Sequence, residues 1–373
     1  MIATRRRCGS DPATFRLSSL NVVGLCDVMI RFFVLGLCAA LITLVPALRI
    51  AVGLLLVAWV AYANGSNDVS KAIATLVGSG TTSYRRAVVW GSAATVLGAG
   101  LSALTGTALV ATFSSGLIAH QPTLAFSTAV MVGTAAWVLL SSRFGLPVST
   151  THALTGSIVF AGAFAFGAEH VRWATLIQRV ALPLVLSPLI GAGLAVVMIM
   201  LLKRVNLSRG RRPLHWLSAG ATAAARGLND APKLGGLGAL LFQTVLASRP
   251  SATQALALTL LIAVAMGAGS YVGGLRVTET LGEKVTRMDD REGFAANLTT
   301  SALVTSAALS GLPGSTTHIS GGAIMGIGAQ ARDGRVNLRV IREILLAWAV
   351  TVPAAGAIAV ASWLLATRIA GPV

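Results

Sequence analysis

The chain has 373 residues, of which 55% are hydrophobic and only 11% charged, with 40 glycines and a mean hydropathy of +0.78. Soluble domains carry about 25% charged residues, so the composition excludes a soluble globular protein and points to an all-α polytopic membrane protein lying within a lipid bilayer. The net charge of +17 comes mainly from arginines in short segments between apolar runs. No soluble basic domain is there to hold a nucleic acid, and such loops read as the cytoplasmic connections of a multi-pass bacterial inner-membrane protein.

Residues 1–31 form a basic leader with Arg5, Arg6, Arg7 and Arg16. No small-residue cleavage site follows, so the first apolar run reads as an uncleaved helix, with Met29 an alternative start to Met1. Cys8, Cys26 and Cys38 fit neither a metal spacing nor a disulfide framework.

Apolar segments 32–47 and 49–63 lie around Pro46, and the second runs into Asn64-Gly65-Ser66-Asn67-Asp68-Val69-Ser70-Lys71. Gly65 interrupts this passage, which predicts a broken helix. Spans follow at 87–111 and 122–140. Then Gly145-Leu146-Pro147-Val148-Ser149-Thr150-Thr151-His152 introduces an apolar stretch at 153–167 that reads as re-entrant, and a long run at 173–202 carries Pro183 and Pro188. Lys203 to Pro213 holds five basic residues and no acidic one, which marks a cytoplasmic linker between the halves. The first repeat therefore covers 32–202, the linker 203–214 and the second repeat 215–373. In the second repeat residues 215–227 lead to the Asp230 motif, 231–247 continue it, and there follow a span at 255–275, segments 294–311 and 312–330, and a last span to about residue 366. The total is roughly 10 to 12 segments, at about 20 residues per full span.

The second half echoes the first. Arg226-Gly227-Leu228-Asn229-Asp230-Ala231-Pro232-Lys233 repeats the Gly-x-Asn-Asp-x-x-Lys pattern at an offset of 162 (68 to 230). Gly311-Leu312-Pro313-Gly314-Ser315-Thr316-Thr317-His318 repeats the second motif at an offset of 166 (152 to 318), and Pro188-x-x-Gly191 returns as Pro353-x-x-Gly356 at 165. One near-constant offset across three features indicates an internal duplication.

The duplicated residues are the candidate site. Asp68 and Asp230 are the acidic residues set well inside apolar sequence, and such carboxylates usually mark ion paths. Lys71 and Lys233, three residues on, can pair with them on one helix face, so a structural salt bridge is the competing reading. Asn67 and Asn229 either supply amide oxygens to a cation or cap the following helix. Ser149, Thr150 and Thr151, with Ser315, Thr316 and Thr317, offer hydroxyls at a helix N-terminus, where an anion is favoured, or serve as ordinary caps. His152 and His318 can donate to a substrate or titrate. Ser, His and Asp together raise the question of hydrolysis. The set occurs twice with no nucleophile elbow and no catalytic domain, so no enzyme is expected.

At these motifs the chain resembles the inorganic phosphate transporter (PiT) family, as a bacterial-type member, over roughly residues 50–370. The resemblance implies two inverted-topology repeats with broken or re-entrant helices, inorganic phosphate as substrate, and symport driven by sodium or protons, with no cofactor. It implies that Asn67, Asp68, Asn229 and Asp230 bind cation (sodium among the candidates) and substrate, with Ser149, Thr151, Ser315 and Thr317 completing the site. A homodimer is compatible with this reading. Many family members carry Asn where Lys71 and Lys233 stand, and a lysine ammonium could replace a coupling cation, which favours protons. A glutamate found in many eukaryotic members corresponds to Ala94. Two other readings stay open: a permease for sulfate or another tetrahedral oxyanion, and an anion channel or receptor.

Overall fold

A computed structural model describes residues 46–205, 211–330 and 336–370. The basic leader, the two candidate starts, the three cysteines and the apolar run before residue 46 lie outside the described residues. Among the described residues, eleven principal helices follow in chain order. They are α1 (Pro46–Asp68), α2 (Ser70–Gly78), α3 (Tyr84–Leu101), α4 (Leu124–Arg143), α5 (Thr150–Phe166), α6 (Leu182–Lys203), α7 (Arg211–Leu246), α8 (Ala252–Gly273), α9 (Asp290–Leu309), α10 (Thr316–Gln330) and α11 (Leu338–Ala370). Among the described residues there is no β-strand, only an isolated bridge between Ile118 and Val171.

Among the described residues, six stretches are long and apolar enough to cross a bilayer: Ala47–Gly78, Tyr84–Leu104, Leu124–Arg143, Trp173–Lys203, Ala252–Gly273 and Leu338–Arg368. Their outward faces carry Leu55, Leu97, Val185, Leu189, Val264 and Val272, all more than 60% exposed. The interior instead buries asparagine, aspartate, lysine and arginine. Apolar outside and charged inside is the arrangement of a protein solvated by lipid, where ionisable groups face the bundle interior. α5 and α10 are short, at 17 and 15 residues.

The packing carries the duplication into three dimensions. α1 lies along α8, and α7 lies along α3; α6 lies along α10, and α11 lies along α5. Each half thus packs its helices against the other half in a reciprocal pattern, as two inverted repeats do. The crossings are close. A methyl group at Gly65 would run into the backbone carbonyl of Met266, and one at Gly227 into the backbone carbonyl of Thr95. These glycines let two backbones touch, as small residues do in membrane helix packing.

That contact revises the expectation at Gly65. The helix does not break there; α1 continues through Gly65 to Asp68, and the irregularity falls one residue later, at Val69. Val69 keeps helical angles (φ −57°, ψ −33°), so the lesion is a local disturbance of hydrogen bonding rather than a reversal of the chain. The Asn67 carbonyl beside it accepts from the Ser70 hydroxyl at 2.7 Å and from Lys71 Nζ at 3.0 Å. In the second half α7 runs unbroken for 36 residues with Pro232 inside it. Pro232 occupies the position equivalent to Ser70 (70 to 232). Having no N–H, proline leaves the carbonyl four residues back without its helical donor. Both copies loosen the helix at the same register, by different chemistry.

The expected span at 87–111 is also revised. α3 ends at Leu101 and gives way to the short turns Ser102–Leu104, Thr107–Ala111 and Thr112–Gly116. The Gly106 N–H turns back to the Ser102 carbonyl at 2.8 Å, and the Gly106 backbone lies against the Pro232 ring.

Candidate functional site

Where α1 and α2 approach α7, eight polar side chains are buried together: Asn64, Asn67, Asp68, Lys71, Arg226, Asn229, Asp230 and Lys233, none more than 4% exposed. The expected ion pairs form in both copies. Lys71 Nζ lies 2.7 Å from Asp68 Oδ1, and Lys233 Nζ lies 2.9 Å from Asp230 Oδ1. The three-residue spacing brings the two groups onto one helix face.

Each lysine then reaches across to the loop ahead of a Ser-Thr-Thr-His motif. Lys71 donates to Asn67 Oδ1 at 2.5 Å and to the Val148 carbonyl at 3.3 Å. Lys233 donates to the Gly314 carbonyl and to Thr151 Oγ1, both at 2.8 Å. Val148 and Gly314 are equivalent positions (offset 166), so the two ammonium groups do the same work in the two halves. Only Lys233 also reaches into the other half, at Thr151.

Neither asparagine caps a helix. Asn67 donates to Ser142 Oγ at 2.9 Å and to the Leu146 carbonyl at 3.0 Å, and its Oδ1 accepts from the Val148 N–H at 3.2 Å. Asn229 donates to the Gly314 carbonyl at 2.8 Å and to Asp230 Oδ1 at 2.9 Å. Their shared task is to pin the loop that leads into α5 or α10.

The capping alternative is realised by the serines. Ser149 Oγ accepts from the His152 N–H and Ser315 Oγ from the His318 N–H, each at 3.3 Å. The threonines are left for other work. Thr150 Oγ1 accepts from Asn64 at 3.1 Å, and Thr317 donates to the Val148 carbonyl at 2.8 Å. Thr316 Oγ1 is buried with no partner among the described residues. Ser315 donates to Ser149 across 3.0 Å, and the rings of His152 and His318 stand 4.4 Å apart. The N-termini of α5 and α10 therefore meet.

The two histidines differ in their partners. His318 Nδ1 lies 2.9 Å from the Leu184 carbonyl, so that nitrogen carries the proton. This carbonyl is available because Pro188, four residues on, has no N–H to offer it. His152 Nδ1 is buried and unpartnered among the described residues.

Two members of the cluster were not among the residues singled out from sequence. Asn64 Nδ2 lies 3.1 Å from Asp230 Oδ2 and 3.4 Å from Asp68 Oδ2, bridging both carboxylates. Arg226 donates through Nη2 to Thr95 Oγ1 at 2.6 Å and to Ser270 Oγ at 3.0 Å. Both sit at the head of the quoted motifs and are equivalent under the 162-residue offset (64 to 226). That offset was the available signal.

A narrow crevice lies at the centre, too tight as it stands to admit a water molecule, lined by Asn64, Thr150, Thr151, Leu154, Asp230, Lys233 and Leu234. Hydroxyls, an ammonium group and the N-terminus of α5 favour an oxyanion there, with the Asp230 carboxylate on the same wall held by Lys233. The oxygens expected for sodium are mostly engaged: Asn67 Oδ1 and Asp68 Oδ1 accept from Lys71, and Asp230 Oδ1 accepts from Lys233 and Asn229. Asn229 Oδ1 and Asn64 Oδ1 are buried acceptors with no partner among the described residues.

Comparison with known proteins places this geometry. Residues 64–213 and 211–359 each match the profile described as the phosphate transporter family. A Mycobacterium bovis protein named a probable low-affinity inorganic phosphate transporter is 34% identical over 304 residues, covering 79% of this chain and 72% of that protein. A Rhizobium meliloti protein of the same name is 30% identical over 339 residues, covering 87% and 98%. Among solved structures, one titled as the sodium-dependent phosphate transporter superposes with a TM-score of 0.76 at 22% identity, covering 85% of this chain and 98% of the other. At that identity the likeness is one of fold.

Proposed function

The chain belongs to the phosphate transporter family, and from that premise we propose that it is a secondary active transporter importing inorganic phosphate by symport with a cation across the bacterial cytoplasmic membrane. The observation that carries this reading is the meeting of both Asp–Lys pairs and both Ser-Thr-Thr-His motifs in one buried polar cluster, with Thr150, Thr151, Asp230 and Lys233 lining the crevice within it. A site built from two equivalent half-sites between repeats suits a passage opened from either side in turn. It does not suit a single reaction centre.

In this reading, phosphate sits where the N-termini of α5 and α10 converge. Thr150, Thr151, Thr316 and Thr317 present hydroxyls, Ser149 and Ser315 hold the two helix starts in place, and Lys233 contributes charge. Asp68 and Asp230, with Asn67 and Asn229, form the cation side, with Asn64 coupling the two carboxylates. Protons are favoured over sodium, because Lys71 and Lys233 occupy the oxygens a sodium ion would need. His152 and His318 line the meeting point and are available to contact the anion.

The test is uptake of labelled phosphate by cells lacking their own phosphate uptake, with and without excess sulfate. Saturable uptake that resists sulfate supports a phosphate transporter. Uptake abolished by sulfate would transfer the substrate assignment to a broader oxyanion permease, and non-saturating flux would indicate a channel.

A further inference from the structure

Arg226 is the largest fully buried side chain among the described residues, at 0% exposure. Its Nη2 is held by the hydroxyls of Thr95 and Ser270, while Nε and Nη1 are buried with no hydrogen-bond partner among the described residues. No carboxylate pairs with it there. A guanidinium keeps its charge under all ordinary conditions, and a charge inside a membrane protein is rarely left without a counter-charge or a task.

Counting the charged side chains buried in the described residues gives Asp68 and Asp230 against Lys71, Lys233 and Arg226, a sum of +1. The two lysines each pair with an aspartate at contact distance, so the excess belongs to Arg226. It sits four residues before Asp230 on α7, within electrostatic reach of both Asp68 and Asp230. Its equivalent in the first half is the neutral Asn64, which donates to both carboxylates. The duplicated site is therefore asymmetric in charge by one unit, at a position beside the carboxylates.

We propose that Arg226 is a fixed cation of the transport site, standing in for one mobile cation, so that the chain binds phosphate with one fewer coupling cation than it would with a neutral residue there. The proposal rests on the symport reading above and concerns its stoichiometry. Arg226 reaches no group of the crevice directly; it acts through the field at Asp68 and Asp230, in a buried setting where such fields are weakly screened.

The experiment compares purified wild-type protein with Arg226→Gln, which removes the charge but can still bond the two hydroxyls, and Arg226→Lys, which keeps the charge. Phosphate affinity is measured by calorimetry across a series of sodium concentrations at fixed pH and across a series of pH values at fixed sodium. The slope of log affinity against log cation concentration counts the cations bound with phosphate. The glutamine variant is expected to show a slope larger by one for the coupling cation, with phosphate affinity recovered at high concentrations of it. The lysine variant is expected to keep the wild-type slope. An unchanged slope in the glutamine variant would overturn the proposal, leaving Arg226 a packing residue between α3 and α8. A glutamine variant that fails to fold would count against it in the same way. Should the symport reading itself be wrong, wild-type affinity would show no cation dependence at all, an outcome distinct from both.

Discussion

Ser149 and Ser315 lie 166 residues apart in the chain and share a hydrogen bond of 3.0 Å. They are equivalent positions of the two repeats. In a two-fold arrangement a residue can touch its own mate only on the axis. The serine pair and the histidine pair beside it therefore mark the pseudo-symmetry axis, and the crevice lies next to it.

Each serine caps its own helix and contacts the other, so the two changes should not be independent. Ser149→Ala and Ser315→Ala are each expected to cost about 1 kcal/mol for the lost cap. The double variant should be less destabilised than the sum by about 0.5–1 kcal/mol, the coupling expected of residues in contact. A double-mutant cycle of thermal unfolding in detergent measures this. Additivity would mean that the two helix starts do not meet.

Gly65→Ala and Gly227→Ala each place a methyl group against a backbone carbonyl of the other half. Overpacking typically costs about 1–3 kcal/mol, and the obstacle here is backbone rather than a movable side chain, so the upper end is expected. Gly100→Ala, at a position with open space, should be neutral. Folded yield by size-exclusion chromatography and melting temperature distinguish the three; equal behaviour would contradict the close crossing.

Asp230→Asn is expected to reduce phosphate uptake at least about tenfold while insertion into the membrane stays normal. Some loss of stability should accompany it, because removing one partner of a buried pair costs about 3–5 kcal/mol by stranding the other. Asp230→Asn combined with Lys233→Met should recover the melting temperature without recovering uptake. Near-normal transport by the single variant would remove Asp230 from the mechanism.

Asn64 serves Asp68, Asp230 and Thr150 with one amide group. Asn64→Ala leaves those acceptors short of a donor, at a cost of about 1–3 kcal/mol. Half-saturation for the coupling cation should shift more than for phosphate, since both carboxylates lose the shared donor. Equal shifts measured in uptake kinetics would argue that Asn64 only supports the fold.

Much of this was legible in the chain. The offsets of the duplicated motifs revealed two repeats, and their three-residue Asp–Lys spacing revealed the pairs at Asp68–Lys71 and Asp230–Lys233. Two things were not legible. Gly65 read as a helix breaker, yet it serves a backbone crossing with Met266, a partner about 200 residues away that no local pattern announces. Arg226 reads in the sequence as one more basic residue at the head of a motif, and only its burial, with Nε and Nη1 left without partners among the described residues, shows that its charge is uncompensated.

The most direct test of the account is labelled phosphate accumulation in proteoliposomes of the purified protein, with sodium and pH gradients imposed separately. The account predicts accumulation above the equilibrium level driven by one cation gradient, the proton gradient foremost, and collapsing when that gradient is dissipated. Equilibration of phosphate without accumulation under either gradient would contradict cation-coupled transport.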